Sequence, residues 1–272
     1  GCSGGGGAGS SAAPGITDTT IKIGLLGPFS GPSATYGKAI HTIDAVYQAL
    51  NEQGGINGRK IETILEDTKC DPPTMRLAVT KLIEQDKVFM LQGGECSAAV
   101  IASMPIIKKS GIPFVVAGAA NHAIVSPPTK NVFHGWVDNS SGGVMHAKLL
   151  RSFIKETGKT RVGVIAQTDE WGQGWAKSFM DGLEFVPLGN GTAPEMVVDG
   201  QIAPDVTDAT AQVQTLKNAK VDIAFVYAYP DPMSVFLRDA HQQGLDIPII
   251  TGGGTYPEDQ VDRIGSREAV DN

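Results

Sequence analysis

One short stretch of the chain, LQGGECSAAV at residues 91–100, places three chemically active side chains side by side. Glu95, Cys96 and Ser97 stand between an apolar run that predicts a strand and an alanine-rich run that predicts a helix. A thiol at such a junction could be a nucleophile, because a sharp strand-to-helix turn exposes the side chain at its apex. The nucleophile motif also wants a glycine two residues later, where Ala98 stands, and a histidine base, which the sequence does not place beside Cys96.

Cysteine pairing is a second explanation for Cys96. The chain has three cysteines, and Cys2 stands alone in a glycine-rich start, so Cys70 and Cys96 remain as a possible internal pair. Cys70 follows the second predicted strand and Cys96 follows the third. Strand ends of a parallel sheet come out at the same edge, so the two residues could be neighbours. Bridges of this kind are typical of proteins outside the cytosol.

Anion binding is a third explanation, and it concerns Ser97. We predict that Ser97 is the N-cap of a helix that begins at Ala98, where unpaired backbone N–H groups favour an anion. Gly118, Ala119 and Ala120 follow the end of the next predicted strand, and their side chains are too small to shield the backbone. Open α/β sheets bind ligands outside the carboxyl ends of their strands, so the two loops could share one carboxylate.

Three aromatic residues, Tyr36, Trp171 and Tyr229, also stand at predicted strand ends. Rings on loops at one face of a sheet predict a cleft with apolar walls and a few polar contacts. The five histidines show no zinc-binding spacing, and neither a dinucleotide fingerprint nor a phosphate-binding loop occurs. We therefore expect no metal and no cofactor.

The composition is that of a globular protein with an acidic surface. The chain has 272 residues and a net charge of −7, which argues against a nucleic-acid partner. No apolar run approaches the roughly 18 residues that a membrane-spanning helix needs. Residues 1–18 begin with GCSGGGGAGSSAAPG, which predicts a flexible Gly/Ser-rich tether because it offers almost nothing to bury.

Strand-like runs alternate with helical stripes along the rest of the chain. One set covers residues 19–137 and a second covers residues 138–267, which predicts an α/β fold with an N-terminal and a C-terminal lobe and parallel sheets. The polar, glycine-rich run at residues 138–143 is the predicted hinge. The second set looks unfinished, so we expect a C-terminally incomplete chain.

Several of these segments, in this order, resemble the type I periplasmic binding proteins of ABC importers, within them the branched-chain amino acid (leucine/isoleucine/valine) binding group. The resemblance covers residues 19–253 and implies two Rossmann-like lobes, joined by hinge strands, that close on one ligand and present it to ABC permease subunits without catalysis. It also implies that residues 268–272 begin a return to the N-terminal lobe, the rest of which is missing. It rests on IKIGLLGPFSGPSATYG, NEQGGINGRKIETILEDTKCDP, GGECSAAV, GIPFVVAGAA, TDEWGQGWAKSFMDGLE and KVDIAFVYAYPDPMSVFLRDAHQQGL.

The first three residues, Gly1-Cys2-Ser3, resemble the processed start of a bacterial lipoprotein. This second resemblance implies a lipid on Cys2 that holds an extracytoplasmic monomer to the outer face of a membrane. The lipid would be the only membrane contact of the protein.

The family resemblance also implies roles for individual residues. It implies a Cys70–Cys96 disulfide, and it places the carboxylate of the ligand on Ser97 and on the backbone of Gly118 and Ala119. The aromatic positions around the ligand match Tyr36, Trp171 and Tyr229.

Three residues depart from the family pattern. Ala120 stands where a threonine often helps to bind the amino acid, and Glu95 stands where an apolar residue often lines the side-chain pocket. Gly253 aligns with the acid that pairs with the α-ammonium group, and a buried ammonium without a counter-charge is costly. Asp169, Asp231 or Glu95 could replace that acid. Otherwise the ligand could lack an α-amino group and be an aromatic or keto acid, an amide or a urea-like compound.

Two other functions stay open at this point. A sensory module of the same fold could feed a receptor or a regulator instead of a permease. A Cys96-dependent amidohydrolase would require a free thiol, whereas our expectation is a protein without enzymatic activity.

Overall fold

The structure, a computed structural model, describes residues 13–187, 191–254, 260–265 and 267. Strands and helices alternate throughout, and the chain forms two separate parallel sheets. The predicted α/β class with parallel sheets is therefore confirmed. The elements of the first lobe are β1 (Thr20–Gly27), α1 (Gly37–Glu52), β2 (Lys60–Asp67), α2 (Pro72–Glu84), β3 (Met90–Gly93), α3 (Ser97–Ser110), β4 (Phe114–Val116) and β5 (Val132–His134), with short 3-10 helices at Ala34–Tyr36 and His122–Ile124.

The second lobe continues the same alternation after β5. A short helix, α8, lies near the end of the described chain, where apolar residues show no strong periodic spacing in the sequence. The elements are α4 (Asn139–Thr157), β6 (Arg161–Gln167), α5 (Glu170–Phe185), β7 (Glu195–Ile202), α6 (Thr210–Asn218), β8 (Ile223–Tyr227), α7 (Pro230–Gln242), β9 (Ile249–Ile250) and α8 (Gln260–Ile264).

The strand order fixes where a ligand can bind. The first sheet has the order β2-β1-β3-β4-β5 and the second has the order β7-β6-β8-β9. In each sheet the order reverses once, between β1 and β3 and between β6 and β8, and the crevice at such a switch point is the usual ligand site. All five residues of β8 are buried, as expected for a central strand covered on both faces.

A stacked aromatic cluster fills part of the second lobe. The rings of His146 on α4, Trp175 and Tyr227 pack against one another, with centroids 5.2 Å apart for His146–Trp175, 5.7 Å for His146–Tyr227 and 5.6 Å for Trp175–Tyr227. Its Nδ1 atom is 2.9 Å from the Tyr227 hydroxyl oxygen. Burial lowers the pKa of His146 from 6.5 to about 4, so the ring is neutral at physiological pH.

The run predicted as a hinge, residues 138–143, has a different structure. The Asp138 side chain caps α4 by accepting from the backbone N–H groups of Ser140 and Ser141, and the following residues form the first turns of that helix. Gly143 is buried there, and a β-carbon on it would lie 2.0 Å from the Ser178 carbonyl oxygen. The glycine therefore serves close helix packing, and the chain crosses between the lobes just before it, between β5 and α4.

The predicted tether also differs from the structure at its C-terminal end. Ile16 forms an antiparallel bridge with Ile21, and the Lys22 N–H donates to the Gly15 carbonyl at 2.8 Å. Residues 13–18 are thus joined to the first sheet, because their backbone pairs with the start of β1. Residues 1–12, with the predicted lipid site Cys2, and residues 268–272 lie outside the described residues.

The strands of the first sheet lie within residues 19–137 and those of the second within residues 138–267, as the predicted division has them. The boundary itself stays a prediction. In the part of the chain that the structure describes, none of the helices combines the length and the apolar character needed to cross a bilayer.

Candidate ligand-binding cleft

The carboxyl ends of the two sheets face each other across a cleft. The Tyr36 hydroxyl donates to the Gly254 carbonyl at 2.8 Å, and the Asn121 side-chain amide donates to the Glu170 carbonyl at 2.6 Å. Both bonds join the first lobe to the second. The cleft is therefore bridged by two hydrogen bonds, and a ligand bound there would contact both lobes.

A cavity of about 420 Å³ lies in this cleft. Six of the nine predicted ligand-binding residues line it, whereas Ser97, Ala119 and Ala120 do not. Sequence reasoning missed the other six lining residues. The predicted residues at the cavity are Tyr36, Glu95, Gly118, Trp171, Tyr229 and Gly253, and the missed ones are Ala39, Thr42, Ile43, Ala117, Trp136 and Gly254.

Two signals could have found some of the missed residues. Ile43 belongs to the apolar stripe of the predicted helix, and Ala39 and Thr42 lie on the same helix, four residues and one residue before it. Trp136 follows β5, so the strand-end argument that singled out the other aromatic residues applies to it as well.

Tyr229 is the central aromatic residue of the cleft. It stands between β8 and α7, and its ring lies 5.6 Å from the Tyr36 ring and 4.9 Å from the Trp171 ring, measured between centroids. Burial raises the pKa of Tyr229 well above its usual value. The hydroxyl is therefore neutral, and the three rings form a continuous aromatic wall.

Ser97 is the first residue of α3 and not its N-cap, which corrects the prediction. Cys96 has the extended backbone of an N-cap residue and makes no side-chain capping bond. The Ser97 side chain is fully buried, and its Oγ accepts from the Asn121 N–H at 3.2 Å. The hydroxyl thus ties the loop after β4 to α3, and its predicted contact with a ligand carboxylate stays a prediction.

The loop after β4 also differs from the predicted loop whose exposed backbone binds a carboxylate. The Ala119 N–H donates to the Gly94 carbonyl at 3.0 Å, and the Ala120 carbonyl accepts from the Asn139 N–H at 2.8 Å. Both alanines are fully buried. In this conformation the Ala119 amide is already paired, and Gly118 is the residue of this loop that reaches the cavity.

Glu95 extends over Gly118 at the wall of the cavity. A β-carbon on Gly118 would lie 1.8 Å from the Glu95 Oε2 atom, so the glycine leaves the space that the carboxyl group occupies. The Oε1 atom is buried and has no hydrogen-bond partner among the described residues. Burial raises the pKa of Glu95 from 4.5 to about 7.

The three candidate acids for a ligand ammonium group have different positions. Asp169 caps α5 by accepting from the Gly172 N–H, and it lines a second cavity together with Asp231. Tyr229 lines both cavities. Among the three acids, Glu95 lines the aromatic cavity. Gly253 lines the cavity with its backbone alone, so it supplies no acidic group at the position where the resemblance implies one.

The two predicted partner cysteines are neighbours in the fold. The Cα atoms of Cys70 and Cys96 are 5.4 Å apart, within the usual range for a disulfide. Cys96 is buried, and no histidine lines the cavity in the part of the chain that the structure describes. The same described residues contain no group of three or more histidine, cysteine or acidic side chains that could hold a metal ion.

Comparison with known proteins agrees with the sequence resemblance. The leucine-, isoleucine-, valine-, threonine- and alanine-binding protein of Pseudomonas aeruginosa is 30% identical over 231 residues, which cover 84% of this chain and 58% of that protein. The chain thus spans about three fifths of the length of the curated relatives it matches.

Solved structures give the same fold with two kinds of bound ligand. The branched-chain amino acid transporter substrate-binding protein LivJ of Streptococcus pneumoniae, in complex with isoleucine, has a TM-score of 0.77 and 25% identity, and the match covers 90% of this chain and 68% of that one. An ABC transporter solute-binding protein of R. palustris, in complex with benzoate, has a TM-score of 0.75 and 25% identity, with 90% and 65% covered.

The family described as periplasmic binding protein matches residues 20–271. Members of this family that the comparison found are binding proteins of transport systems. The resemblance inferred from the ordered sequence motifs is confirmed, and the chain belongs to the periplasmic binding protein family.

Proposed function

We propose that this chain is the extracytoplasmic solute-binding component of an ABC importer. It binds a branched-chain amino acid, or a related small carboxylate or amide, between its two lobes and does not transform it. The observation that carries the proposal is the cleft cavity, whose wall combines Tyr36 and Glu95 of the first lobe with Trp171 and Tyr229 of the second. A concave, mostly apolar site with few polar groups is typical of small-molecule binding.

Ligand binding would act through the contacts that cross the cleft. The Tyr36–Gly254 and Asn121–Glu170 hydrogen bonds exist when the lobes are close together. A ligand that touches both walls stabilises this closed arrangement over an open one, because it makes more contacts there. The permease subunits would then recognise the closed form, as in other hinge-closing systems.

Three further features belong to the proposal. The 5.4 Å Cα separation supports a Cys70–Cys96 disulfide, which suits an extracytoplasmic protein. The glycine-rich start supports a tether with a lipid on Cys2. A monomer would suffice, since one chain supplies both walls of the cleft.

Tryptophan fluorescence tests the proposal directly. The chain has three tryptophans, of which Trp136 and Trp171 line the cavity and Trp175 lies 6.1 Å from Trp171 between ring centroids. We expect saturable fluorescence changes when the full-length protein is titrated with a panel of amino acids, organic acids, amines and amides. A folded protein that responds to none of these compounds, and whose melting temperature none of them shifts, would refute the proposal.

A further inference from the structure

We infer that Glu95 is the counter-charge for a ligand whose buried end carries a positively charged nitrogen, and that the aromatic residues of the same cavity hold that cation. The inference deepens the proposed function and rests on it. It names the charge class of the ligand and assigns the missing acidic role to the first lobe.

The backbone at the β3–α3 junction directs Glu95 into the cavity. Gly93 and Gly94 both have positive φ angles, 112° and 79°, which let the chain turn sharply before Glu95. A β-carbon on Gly93 would lie 2.1 Å from the Leu26 carbonyl oxygen, so the turn passes close to β1. The carboxyl group then lies over Gly118, with Oε1 buried and without a partner among the described residues.

The groups around Glu95 carry no positive charge. Lysine, arginine and histidine are absent from the described residues that line the cavity. Tyr229 is the titratable group that connects Glu95 with Tyr36 and Asp169, since all three act electrostatically on its hydroxyl. Asp169 is itself hydrogen-bonded to the Gly172 N–H and the Gln167 side-chain amide. An ionised Glu95 therefore needs a donor or a cation from the ligand.

The aromatic wall favours a cation over a neutral donor. Tyr36, Trp136, Trp171 and Tyr229 line the cavity with Glu95, and faces of such rings attract ammonium groups. A buried carboxylate and aromatic faces together form a site that is negative without any compensating group. An anionic ligand would require a protonated Glu95, so it would bind more weakly at pH 8, where this acid is mostly ionised.

Proton linkage follows from the same geometry. Burial raises the pKa of Glu95 to about 7 without a ligand, and a bound cation lowers it again. Cation binding should therefore release a proton, and the affinity should rise from pH 6 to pH 8 and then level off. An anion that binds the protonated acid would show the opposite trend.

A matched ligand series tests the inference by calorimetry. L-leucine, 3-methylbutylamine and 4-methylpentanoate share one branched side chain and differ in the charged groups attached to it. In the wild-type protein at pH 8 we expect the amino acid and the amine to bind at least tenfold more tightly than the acid. Glu95→Gln should remove that preference and the pH dependence, while Glu62→Gln, the same change at an exposed residue of β2, should preserve both.

A second variant separates the position of the carboxyl group from its charge. Gly118→Ala keeps Glu95 but places a methyl group where Oε2 lies, so the amine affinity should also fall at least tenfold. Circular dichroism melting curves check that each variant is folded.

The outcomes distinguish the inference from the proposed function. Tighter binding of the acid than of the amine, or an amine affinity that Glu95→Gln leaves unchanged, overturns the inference while the binding function stands. If none of the three ligands nor a broader panel of cations, anions and neutral amides binds the folded wild-type protein, both are overturned.

Discussion

Two strand-to-helix junctions, one in each lobe, use their acidic residues differently. After β6, the Asp169 carboxylate accepts from the Gly172 N–H and from the Gln167 side chain, each at 2.9 Å. After β3, the N-cap residue Cys96 makes no side-chain capping bond, and the Glu95 Oε1 atom has no partner among the described residues.

The difference indicates which junction is reserved for a ligand. Asp169 completes its own helix, so it contributes to the stability of the folded lobe. Glu95 leaves a buried polar atom unsatisfied, which costs stability unless an external group completes it. The β3–α3 junction is therefore less stable without a ligand and leaves Glu95 available for binding. The β6–α5 junction uses Asp169 to stabilise its own helix.

Among the tests of this contrast, reduction of the Cys70–Cys96 pair should have the largest effect on stability. The pair closes a loop with a sequence separation of 26, for which chain entropy gives a stabilisation of about 3–4 kcal/mol. In place of a side-chain cap, the bridge would hold Cys96 at the start of α3. Urea unfolding with and without reductant measures the loss, and Cys70→Ser with Cys96→Ser should be insensitive to reductant. Equal stability of the oxidised and reduced protein would contradict the bridge.

The pH dependence of stability provides the second test. The pKa of Glu95 is higher in the folded state than in the unfolded state, so stability falls as the pH rises from about 4.5 to 7, by about 3 kcal/mol at most. The pKa of His146 is lower in the folded state, so stability rises as the pH increases from about 4 to 6.5.

These two dependences oppose each other in the wild-type protein, and single variants should expose them. Relative to the wild type, Glu95→Gln should make stability rise more steeply with pH between 4.5 and 6.5, whereas His146→Gln should make it fall. Chemical denaturation at several pH values measures both slopes. Parallel curves for all three proteins would show that neither group is shifted.

Removal of the Asp169 cap should have a smaller effect. Asp169→Ala should destabilise the protein by about 1–2 kcal/mol, because α5 loses its cap and Gln167 loses a partner. Glu170→Ala is the control, since Glu170 carries the same charge in the same turn but is exposed, and it should change stability by less than about 0.5 kcal/mol. If Asp169→Ala left the free energy of unfolding unchanged, the contrast between the two junctions would be contradicted.

Tyr36→Phe should have the smallest effect. It removes the hydroxyl that donates to the Gly254 carbonyl across the cleft, a bond exposed to solvent. Loss of one such bond should shift the balance toward the open form by about 1 kcal/mol or less. Small-angle scattering of the ligand-free protein should show a slightly larger radius of gyration, and the unfolding free energy should hardly change. A smaller radius would contradict the role of this bond in closure.

Local patterns in the sequence were enough to predict the alternating elements and the edge of the sheets where the cleft lies. Apolar periodicity located β1, β8 and the helices between strands, and the rule for parallel strand ends led to Tyr36, Trp171 and Tyr229. The error at Ser97 is local too, because the N-cap is set by the backbone angles of Cys96, which residue types alone do not determine.

Contacts between distant segments could not be predicted. The hydrogen bond from the Asn121 amide to Ser97 and the contact of Glu95 with Gly118 each join two loops that lie after different strands. The packing of Gly143 against α5 gave a polar, glycine-rich run the appearance of a hinge. Gly118 and Gly143 are thus required by close neighbours, whereas the sequence suggested that they serve small size or flexibility.

The contact between Glu95 and Gly118 also constrains how this cleft can evolve. With Glu95 in place, a side chain at position 118 would displace the carboxyl group from its position over the glycine, so substitutions there should weaken cation binding. If position 95 first changed to a small apolar residue, a β-carbon at position 118 would become acceptable. The two positions are therefore epistatic, and a change of ligand class along this lineage has a preferred order of mutations.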